Sequence, residues 1–528
     1  MKIIVEQIKA SNKLSNNEVF DIARARLKRT RAFSNFNRFS IYKRSIDARN
    51  KADIKLVYSV CVEAEAKKAL DENLLKQNQI KIINDENIDF NFNGQFPSEP
   101  PVIVGFGPCG MFSALALARA GLKPIVLERG ADVDTRIERV NQFYRSKTLD
   151  INTNIQFGAG GAGTFSDGKL TTGINDSKCS FVLKELCRFG APEDILYNAK
   201  PHIGTDILRN VVKNIAKEIE DLGGKIFYNT CLISFENNIV KTTNGSFKYS
   251  SLILAIGHSA RDTYKYLLER GTAIEPKPFS VGVRIEHLRK DIDEAMYGVQ
   301  AEGLELGAAS YNISHRQNNK GVYSFCMCPG GEVVAAQSEE NSIVVNGMSY
   351  NARNGTNSNA AIVVQVDRED YGASPCSAIE FQSAIEKRAF TKAGSNYKAP
   401  VQTVGDFYNE QAINEPRRIV PTYMSNYTQI TDLNTILPKF VCDYLKLGLQ
   451  KFGEKIKGFN AEDVPLTGVE TRTSAPIRIL RSANYTMLND SNVYPGGEGA
   501  GYAGGIMSAA VDGINIALAI INKGFYEK

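Results

Sequence analysis

The stretch "PVIVGFGPCGMFSALALARAGLKPIVLERG", residues 101–130, decides the fold of the first large part of the chain. Its opening, "PVIVG", predicts a short buried strand, and a glycine turn follows directly. "MFSALALARA" predicts a helix of small residues that ends near Gly121, and "KPIVLE" predicts a second strand. A strand–turn–helix–strand unit of this kind predicts an α/β domain built on a parallel sheet.

The glycine turn "GFGPCG", residues 105–110, fits the GxGxxG pattern that binds dinucleotide phosphates. Gly105 permits the tight turn, Gly107 lets the backbone approach a pyrophosphate, and Gly110 allows close packing of helix on strand. The following helix offers free N–H groups and its positive end to the phosphates. Glu128 ends the second strand, where a carboxylate binds both ribose hydroxyls and opposes a 2′-phosphate. The unit therefore predicts a bound dinucleotide and disfavours an NADP-type ligand.

Two further stretches carry a similar glycine spacing. "GEGAGYAGGI", residues 497–506, follows a predicted strand and precedes a predicted helix, but no second strand with its acid follows it in this sequence. We therefore expect Glu498 to accept hydrogen bonds from a ribityl chain, and the N–H groups near 503–506 to face the far end of a cofactor. "GAGGAG", residues 158–163, has no strand before it. It predicts a loop over the cofactor, with a flexible surface turn as the alternative.

Length and composition predict a globular chain of several domains. The 528 residues are 43% hydrophobic and 23% charged. Changes in composition and in the predicted secondary structure along the chain divide them into four segments. These are a basic α/β accessory domain (1–95), for which a ferredoxin-like arrangement is one option; the first part of a nucleotide-binding domain (96–276); a substrate or cap domain (277–440); and the C-terminal part of the nucleotide-binding domain (441–528). The absence of an apolar run of eighteen residues predicts no membrane span. Nine cysteines without a CxxC pair or zinc-like spacing favour a reduced, cytoplasmic setting and no metal site.

The basic excess belongs to the N-terminal segment. Residues 1–60 carry fourteen Lys and Arg against five Asp and Glu, although the whole chain is only +5. The densest run, "RARLKRTR" at 24–31, is typical of a nucleic-acid or acidic-partner surface. It is equally typical of a helix face in contact with water.

Several motifs together resemble a known group of proteins. The GxGxxG unit with its acid, the glycine-rich loop, "LILAIGHSAR" and "YPGGEGAGYAGGI" resemble the glutathione-reductase-like FAD/NAD(P)-binding flavoproteins. "FGAGGAGTFSDGKL", "KPFSVGVRIEH", "FCMCPGGEVV" and "RTSAPIRI" more narrowly resemble a bacterial family of FAD-dependent dehydrogenases without an assigned substrate. The resemblance implies FAD as cofactor. It also implies a Rossmann-like domain of a parallel sheet plus a small antiparallel meander, with an inserted α+β substrate domain.

The residue pattern and the resemblance together give a set of expected FAD contacts. They are Gly105, Gly107, Pro108, Gly110, Glu128, Arg129, Gly160, Gly161, Thr164, Lys169, Leu232, Ala255, Ile256, Gly257, Glu498, Gly504, Gly505 and Ile506. The resemblance places Leu232 where a backbone group reads adenine. It places Ala255–Gly257 at a turn beside the cofactor, and Glu498 where relatives usually have Asp.

The catalytic residues are less well defined by the sequence. Cys326 and Cys328 form a CxC pair in a predicted strand, where alternate side chains share a face, so both thiols could point at a flavin. Buried cysteines that act as small hydrophobic residues are the alternative. His258 and His287 could transfer a proton, or could serve structural hydrogen bonds.

Cationic and aromatic candidates complete the set. Four arginines could bind an anionic substrate or an FAD phosphate, or form salt bridges; they are Arg284, Arg353, Arg472 and Arg478. Tyr502 could lie near the flavin ring or simply pack in the core.

The sequence therefore predicts an FAD-dependent oxidoreductase that transfers a hydride between an organic small molecule and the flavin. Two alternatives stay open: a flavoprotein that acts on RNA through its basic N-terminus, and a non-catalytic protein stabilised by FAD. No complete second dinucleotide unit is present, so a separate NAD(P)H site is not expected, whereas transient NAD(P)H binding near the flavin stays open.

Overall fold

A computed structural model of the chain describes residues 1–11, 14–67, 70–83, 88–299 and 306–523. The first unit contains β1 (Lys2–Ser11), α1 (Asn16–Thr30), β2 (Phe33–Asp47), β3 (Lys55–Ala66), α2 (Glu72–Gln77) and β4 (Ile80–Ile83). The four strands pair in the order β2-β3-β1-β4, all antiparallel. This is the βαββαβ succession of ferredoxin-like units. Ser15 and Glu18 form a capping box at the start of α1, and the helix buries Val19, Ala23 and Leu27.

Several basic residues of this unit take part in its own fold and in its docking. Arg26 donates to the carbonyl of Glu6 at 2.5 Å. Arg44 pairs through its backbone with Tyr197 and Ala199 at 2.7 and 2.8 Å, and Lys51 Nζ donates to the carbonyl of Ala295 at 2.6 Å. The N-terminal unit is therefore attached to the two larger parts of the chain. RNA binding by it stays a prediction.

The second unit is built on a five-stranded parallel sheet. It contains β5 (Val102–Val104), α3 (Pro108–Arg119), β6 (Ile125–Leu127), α4 (Val133–Ser146), α5 (Lys178–Arg188), α6 (Thr205–Asp221), β7 (Lys225–Phe227), β8 (Leu232–Glu236), β9 (Ile239–Thr242), β10 (Gly245–Lys248), β11 (Leu252–Leu254), α7 (Arg261–Glu269) and β12 (Ile274–Pro276). With the C-terminal strand β23 (Val493–Pro495), the strand order is β23-β11-β5-β6-β7 with every pair parallel. Strands β8–β10 form the expected antiparallel meander. The predicted α/β architecture on a parallel sheet is confirmed.

The C-terminal elements return to this second unit. They are β22 (Ile477–Ile479), β23 (Val493–Pro495) and α13 (Ile506–Lys523). By length and composition α13 could cross a membrane, but 61% of its apolar window is buried inside the protein. It packs on α3, where a Cβ at Gly513 would lie 2.2 Å from the carbonyl oxygen of Cys109. The apolar character of α13 is therefore accounted for by the core of the protein.

The third unit is a larger mixed sheet flanked by helices. It contains β13 (Phe279–Leu288), α8 (Arg289–Tyr297), β14 (Ser314–Gln317), β15 (Lys320–Cys328), β16 (Glu332–Ala335), β17 (Val345–Met348), β18 (Asn357–Val366), α9 (Arg368–Tyr371), α10 (Pro375–Lys392), β19 (Ala399–Thr403), α11 (Val404–Tyr408), β20 (Thr428–Ile430), α12 (Lys439–Gly453) and β21 (Pro465–Glu470). Seven strands pair in the order β14-β15-β18-β13-β21-β19-β20. Since β21 lies between β13 and β19, the predicted boundary at residue 440 falls inside this unit, which continues through Glu470.

Candidate functional site

One cavity of about 590 Å³ lies at the carboxyl ends of β5, β6 and β11. In open α/β sheets this edge is where ligands bind. The structure brings most of the expected FAD contacts to the wall of this cavity. Those that line it are Gly105, Gly107, Pro108, Glu128, Arg129, Gly161, Lys169, Leu232, Ala255, Ile256, Gly257, Glu498, Gly504, Gly505 and Ile506.

The glycine turn is built by close backbone contacts. Gly105 has φ +99°, and a Cβ there would lie 2.3 Å from the carbonyl oxygen of Ala255. A Cβ at Gly110 would lie 2.0 Å from the carbonyl oxygen of Gly105. Gly110 therefore packs beneath the turn and does not line the cavity, so its role is to let α3 approach the sheet.

Two helices begin at the cavity wall. At α3 the N-cap residue is Gly107, which gives no side-chain cap, and Gly107, Pro108 and Cys109 line the cavity. A Cβ at Gly107 would meet only Gly161 Cα, at 3.7 Å, so the turn leaves a cradle above the helix end. At α13, Gly505 and Ile506 line the same cavity. Uncapped helix N-termini attract anions, so the cavity suits a long ligand that carries negative charge in two places.

The Glu128 carboxylate is buried and holds the loops around it. Oε2 accepts from the Phe106 amide at 2.7 Å, and Oε1 accepts from the amides of Gly130 and Gly158 at 2.9 Å each. Since a carboxylate offers about four acceptor positions, most of this capacity is used inside the protein. Glu128 can therefore accept one further hydrogen bond, on Oε2. This is enough for one ribose hydroxyl and not for the two that the sequence predicted.

Arg129 also lines the cavity while its charge is used elsewhere. Its Nη2 donates to both carboxylate oxygens of Asp262 at 2.7 Å. The guanidinium carbon lies 4.5 Å from the centre of the Phe157 ring. Arg129 is thus a cavity-lining residue whose charge is already balanced by Asp262.

The loop 158–163 is organised by Arg136, a residue of α4 that the sequence did not single out. Its fully buried guanidinium donates to five carbonyl oxygens at 2.7–3.2 Å, those of Asn154, Ile155, Gly158, Ala159 and Gly161. Burial lowers the pKa of Arg136 to about 9, although the charge of Glu128 opposes this shift. Gly160, in this loop, and Thr164, directly after it, do not line the cavity. Both residues were expected to contact FAD, but in the structure they lie behind the cavity wall and pack within the protein.

The other end of the cavity is rich in cations. Arg353 donates to Asp167 through Nε, at 3.0 Å, and through Nη2, and Lys169 Nζ lies 3.8 Å from the same carboxylate. Lys200 stands at the cavity wall, where Nζ donates to Ser310 Oγ at 2.9 Å. Partial burial, together with the charges of Arg353 and Lys169, lowers the pKa of Lys200. Arg353 and Lys169 share one carboxylate, and Lys200 adds a third positive charge near these two cations, so this end of the cavity suits an anion.

The other candidate arginines and Tyr502 have structural partners. Arg472 lines the cavity, but it pairs with buried Glu386 at 3.0 Å. Arg284 is fully buried and pairs with Glu470 at 2.8 Å. Arg478 lies outside the cavity wall, and the Tyr502 ring lies 3.7 Å from the Arg481 guanidinium. Of the four arginines, Arg353 and Arg472 line the cavity, each paired with a carboxylate, and Arg353 has Lys169 beside the same carboxylate. Tyr502 has a packing role.

Two of the four catalytic candidates line the cavity. His258 does so with Nδ1 3.3 Å from Glu498 Oε1, while its buried Nε2 has no partner within the described residues. Cys326 also lines the cavity, whereas Cys328 is buried behind it. The regular alternation of strand residues, on which the expected shared face rested, does not hold at these two thiols. The pairing of β15 with β18 slips between Phe325 and Cys328, which is a β-bulge.

His287 lies in the core of the third unit and not at the cavity. The ring is 3% exposed, and Nε2 lies 2.8 Å from the carbonyl oxygen of Phe459. Burial lowers the pKa of His287 to about 4, although this hydrogen bond opposes the shift. The structural alternative for His287 is therefore the correct one. The imidazole is neutral at pH 7 and donates from Nε2.

This burial makes stability depend on pH. Below pH 6.5 the unfolded chain protonates His287, while the folded protein does not until about pH 4, so acidification favours unfolding. On acidification from pH 7 to pH 5, we expect the free energy of unfolding of His287→Gln to fall by about 2 kcal/mol less than that of the wild type. Urea denaturation at the two pH values measures this. His315→Gln, on edge strand β14, is the matched control, and parallel pH profiles for wild type and His287→Gln would contradict the assignment.

Comparison with known proteins gives one family match and one full-length relative. Residues 278–473 match a family described as "FAD-dependent protein, C-terminal domain-like". An uncharacterised protein from Clostridium beijerinckii is 47% identical over 504 residues, which cover 92% of this chain and 93% of that protein.

Solved structures resemble the chain only loosely. L-proline dehydrogenase from P. horikoshii has 12% identity and a TM-score of 0.34, and covers 81% of this chain and 94% of its own. Halogenase PltM in complex with phloroglucinol and FAD has 11% identity and a TM-score of 0.37, with coverages of 81% and 69%. At these values the similarity gives no information about substrate.

Proposed function

Because this chain belongs to the family of FAD-dependent proteins that includes the Clostridium beijerinckii relative, we propose that it is a flavin oxidoreductase of the glutathione-reductase-like type. The proposed reaction transfers a hydride between an anionic organic substrate and N5 of the flavin. Bound FAD supplies the hydride chemistry, and the protein supplies position and electrostatics. In the part of the chain that the structure describes, the eight cysteines other than Cys61 are free thiols, which supports a reducing compartment such as the cytoplasm.

One observation carries this proposal: two helix N-termini, of which that of α3 has no side-chain cap, open into a single cavity. The end of α3, with the cradle at Gly107, would hold the pyrophosphate. The end of α13 at Gly505 and Ile506 would stabilise negative charge at the flavin end without a charged side chain. The buried, unpartnered Nε2 of His258 adds one polar atom between them that a ligand can satisfy. The residues present thus fit FAD.

The cationic end of the same cavity supports the substrate class. Arg353 and Lys169 lie beside Asp167, and the charges of these two cations act on Lys200. An anionic group on the substrate would neutralise this excess charge and fix the orientation of the molecule. A neutral analogue would leave it uncompensated.

We expect anaerobic reduction of the bound flavin to distinguish carboxylates from their amides. A reducing carboxylate should bleach the flavin, and its amide should bind at least ~10-fold more weakly, because the amide carries no charge to pair with the cations. Lys200→Met should weaken carboxylate binding by ~10-fold, or ~1.4 kcal/mol, and leave amide binding unchanged. Stopped-flow absorbance at several substrate concentrations measures both quantities, with NADH and NADPH included as donors.

Exposed Lys457→Met removes the same charge far from the cavity and is the matched control. Equal affinity for acid and amide, or no effect of Lys200→Met, would contradict the anionic substrate. A flavin that no tested donor reduces would instead favour a non-catalytic protein stabilised by FAD.

A further inference from the structure

Cys326 occupies a backbone position that turns it out of the regular strand. It has φ +42°, and the four residues of β15 from Phe325 to Cys328 lie opposite only three residues of β18, Asn359 to Ala361. A bulge of this kind re-aims a side chain. Here Cys326 lines the cavity, and Cys328 lies directly behind it.

The two thiols are close to each other and to cations. Cys328 Sγ lies 3.3 Å from the carbonyl oxygen of Cys326. Lys169 Nζ lies 3.9 Å from Cys326 Sγ, and Lys169 also donates to the carbonyl oxygen of Met327. Arg284 Nη1 donates to the carbonyl oxygen of Cys326 at 3.0 Å and lies 4.0 Å from Cys328 Sγ.

The nearby carboxylates are already paired. Glu470 is bonded to Arg284 at 2.8 Å, and Asp167 is bonded to Arg353 and faces Lys169. The charge of Asp167 opposes the effect of Lys169 and Arg284 on the Cys326 thiol but does not outweigh it. A hydrogen bond from the Cys328 thiol, with the charges of Lys169 and Arg284, holds the pKa of Cys326 well below its usual range against the effect of burial. Cys326 therefore has cations and a second thiol beside it, which is the arrangement of a reactive cysteine.

We propose that Cys326 and Cys328 are a redox-active dithiol that exchanges two electrons with the flavin bound in the same cavity. Oxidation forms the Sγ–Sγ bond, releases the proton of the Cys328 thiol and gives up two electrons. Oxidised FAD takes up these two electrons with that proton and becomes the reduced anion. In the reverse direction the reduced flavin opens the disulfide. This proposal rests on FAD occupying the cavity as described above.

An anaerobic reductive titration of the holoprotein tests the pair. After oxidation with ferricyanide, which adds no thiol group to the protein, and desalting, the wild type should take up four electrons per flavin from dithionite, two for the flavin and two for the disulfide. Cys326→Ser and Cys328→Ser should each keep the flavin spectrum and take up two. Exposed Cys376→Ser is the matched control and should take up four, as the wild type does. A wild type that takes up only two electrons would overturn the proposal.

A second measurement does not depend on flavin. Apoprotein is equilibrated in glutathione buffers of graded potential, and its free thiols are alkylated with N-ethylmaleimide. The protein is then digested, and the mass of the peptide that contains Cys326 and Cys328 is measured. We expect the peptide to lose both labels together as the buffer becomes more oxidising, while Cys376 keeps its label. The pH of half-maximal labelling should be lower for Cys326 than for Cys376 in reduced protein. A peptide that stays doubly labelled at every potential would overturn the proposal of a redox-active dithiol, even if the protein binds FAD. A reversible disulfide in a protein that binds no FAD would contradict only the proposed function.

Discussion

Gly107→Asp should reduce the affinity of the apoprotein for FAD by at least ~100-fold, or ~2.7 kcal/mol, without unfolding the protein. Aspartate is a good N-cap residue and can accept from the first amides of α3. Its Cβ has room, since the nearest atom is Gly161 Cα at 3.7 Å. Its charge, however, would stand in the cradle that receives the pyrophosphate. Two like charges about 4 Å apart repel by ~4 kcal/mol at an effective dielectric constant of about 20.

Quenching of FAD fluorescence on titration with apoprotein measures this affinity, and thermal unfolding of the apoprotein checks the fold. Asn50→Asp adds the same charge in the exposed β2–β3 turn and should change neither quantity. If Gly107→Asp bound FAD as tightly as the wild type while remaining folded, α3 would not hold the phosphates.

Arg136→Met should destabilise the protein by about 3–5 kcal/mol and lower FAD affinity by at least ~10-fold. The guanidinium is fully buried and is the shared donor for five carbonyl oxygens of residues 154–161. Methionine keeps much of the volume but leaves these carbonyls without their donor, which costs most where water cannot replace it. The loop that covers the cavity would then lose its defined shape.

Half-exposed Arg139→Met, on the same helix, is the matched control and should stay within about 0.5 kcal/mol of the wild type. Urea denaturation of the holoprotein and apoprotein gives both free energies of unfolding. A small effect of Arg136→Met on the apoprotein would show that the loop is held mainly by the cofactor.

Local sequence patterns were sufficient for the framework of the site. The turn at 105–110 is specified by residues that are neighbours in the chain: a short apolar strand, glycines where backbone atoms touch, and proline at the first position of α3. For the same reason the segment 497–506 could be placed between β23 and α13. Each of these elements depends on contacts that recur in a fixed order along the sequence.

What the sequence could not show depends on contacts between distant residues. Arg353 meets Asp167 across 186 positions, and no local pattern marks Lys200 as the third cation beside them. Arg136 occupies an ordinary helix position, and its role comes only from the loop that folds over it. At Cys326, the regular alternation of side chains along a strand does not hold, because the bulge between Phe325 and Cys328 interrupts this alternation. The same tertiary packing placed His287 in the core and β21 inside the third unit.

The FAD content of the purified chain tests the central claim most directly, namely that one cavity joins two helix N-termini around one cofactor. The account predicts a yellow protein, or a colourless apoprotein that becomes yellow on reconstitution, with one FAD per chain and with FAD lost in Gly107→Asp. A folded protein that binds no FAD on reconstitution, or that binds it equally well with the cradle at residue 107 blocked, would contradict it.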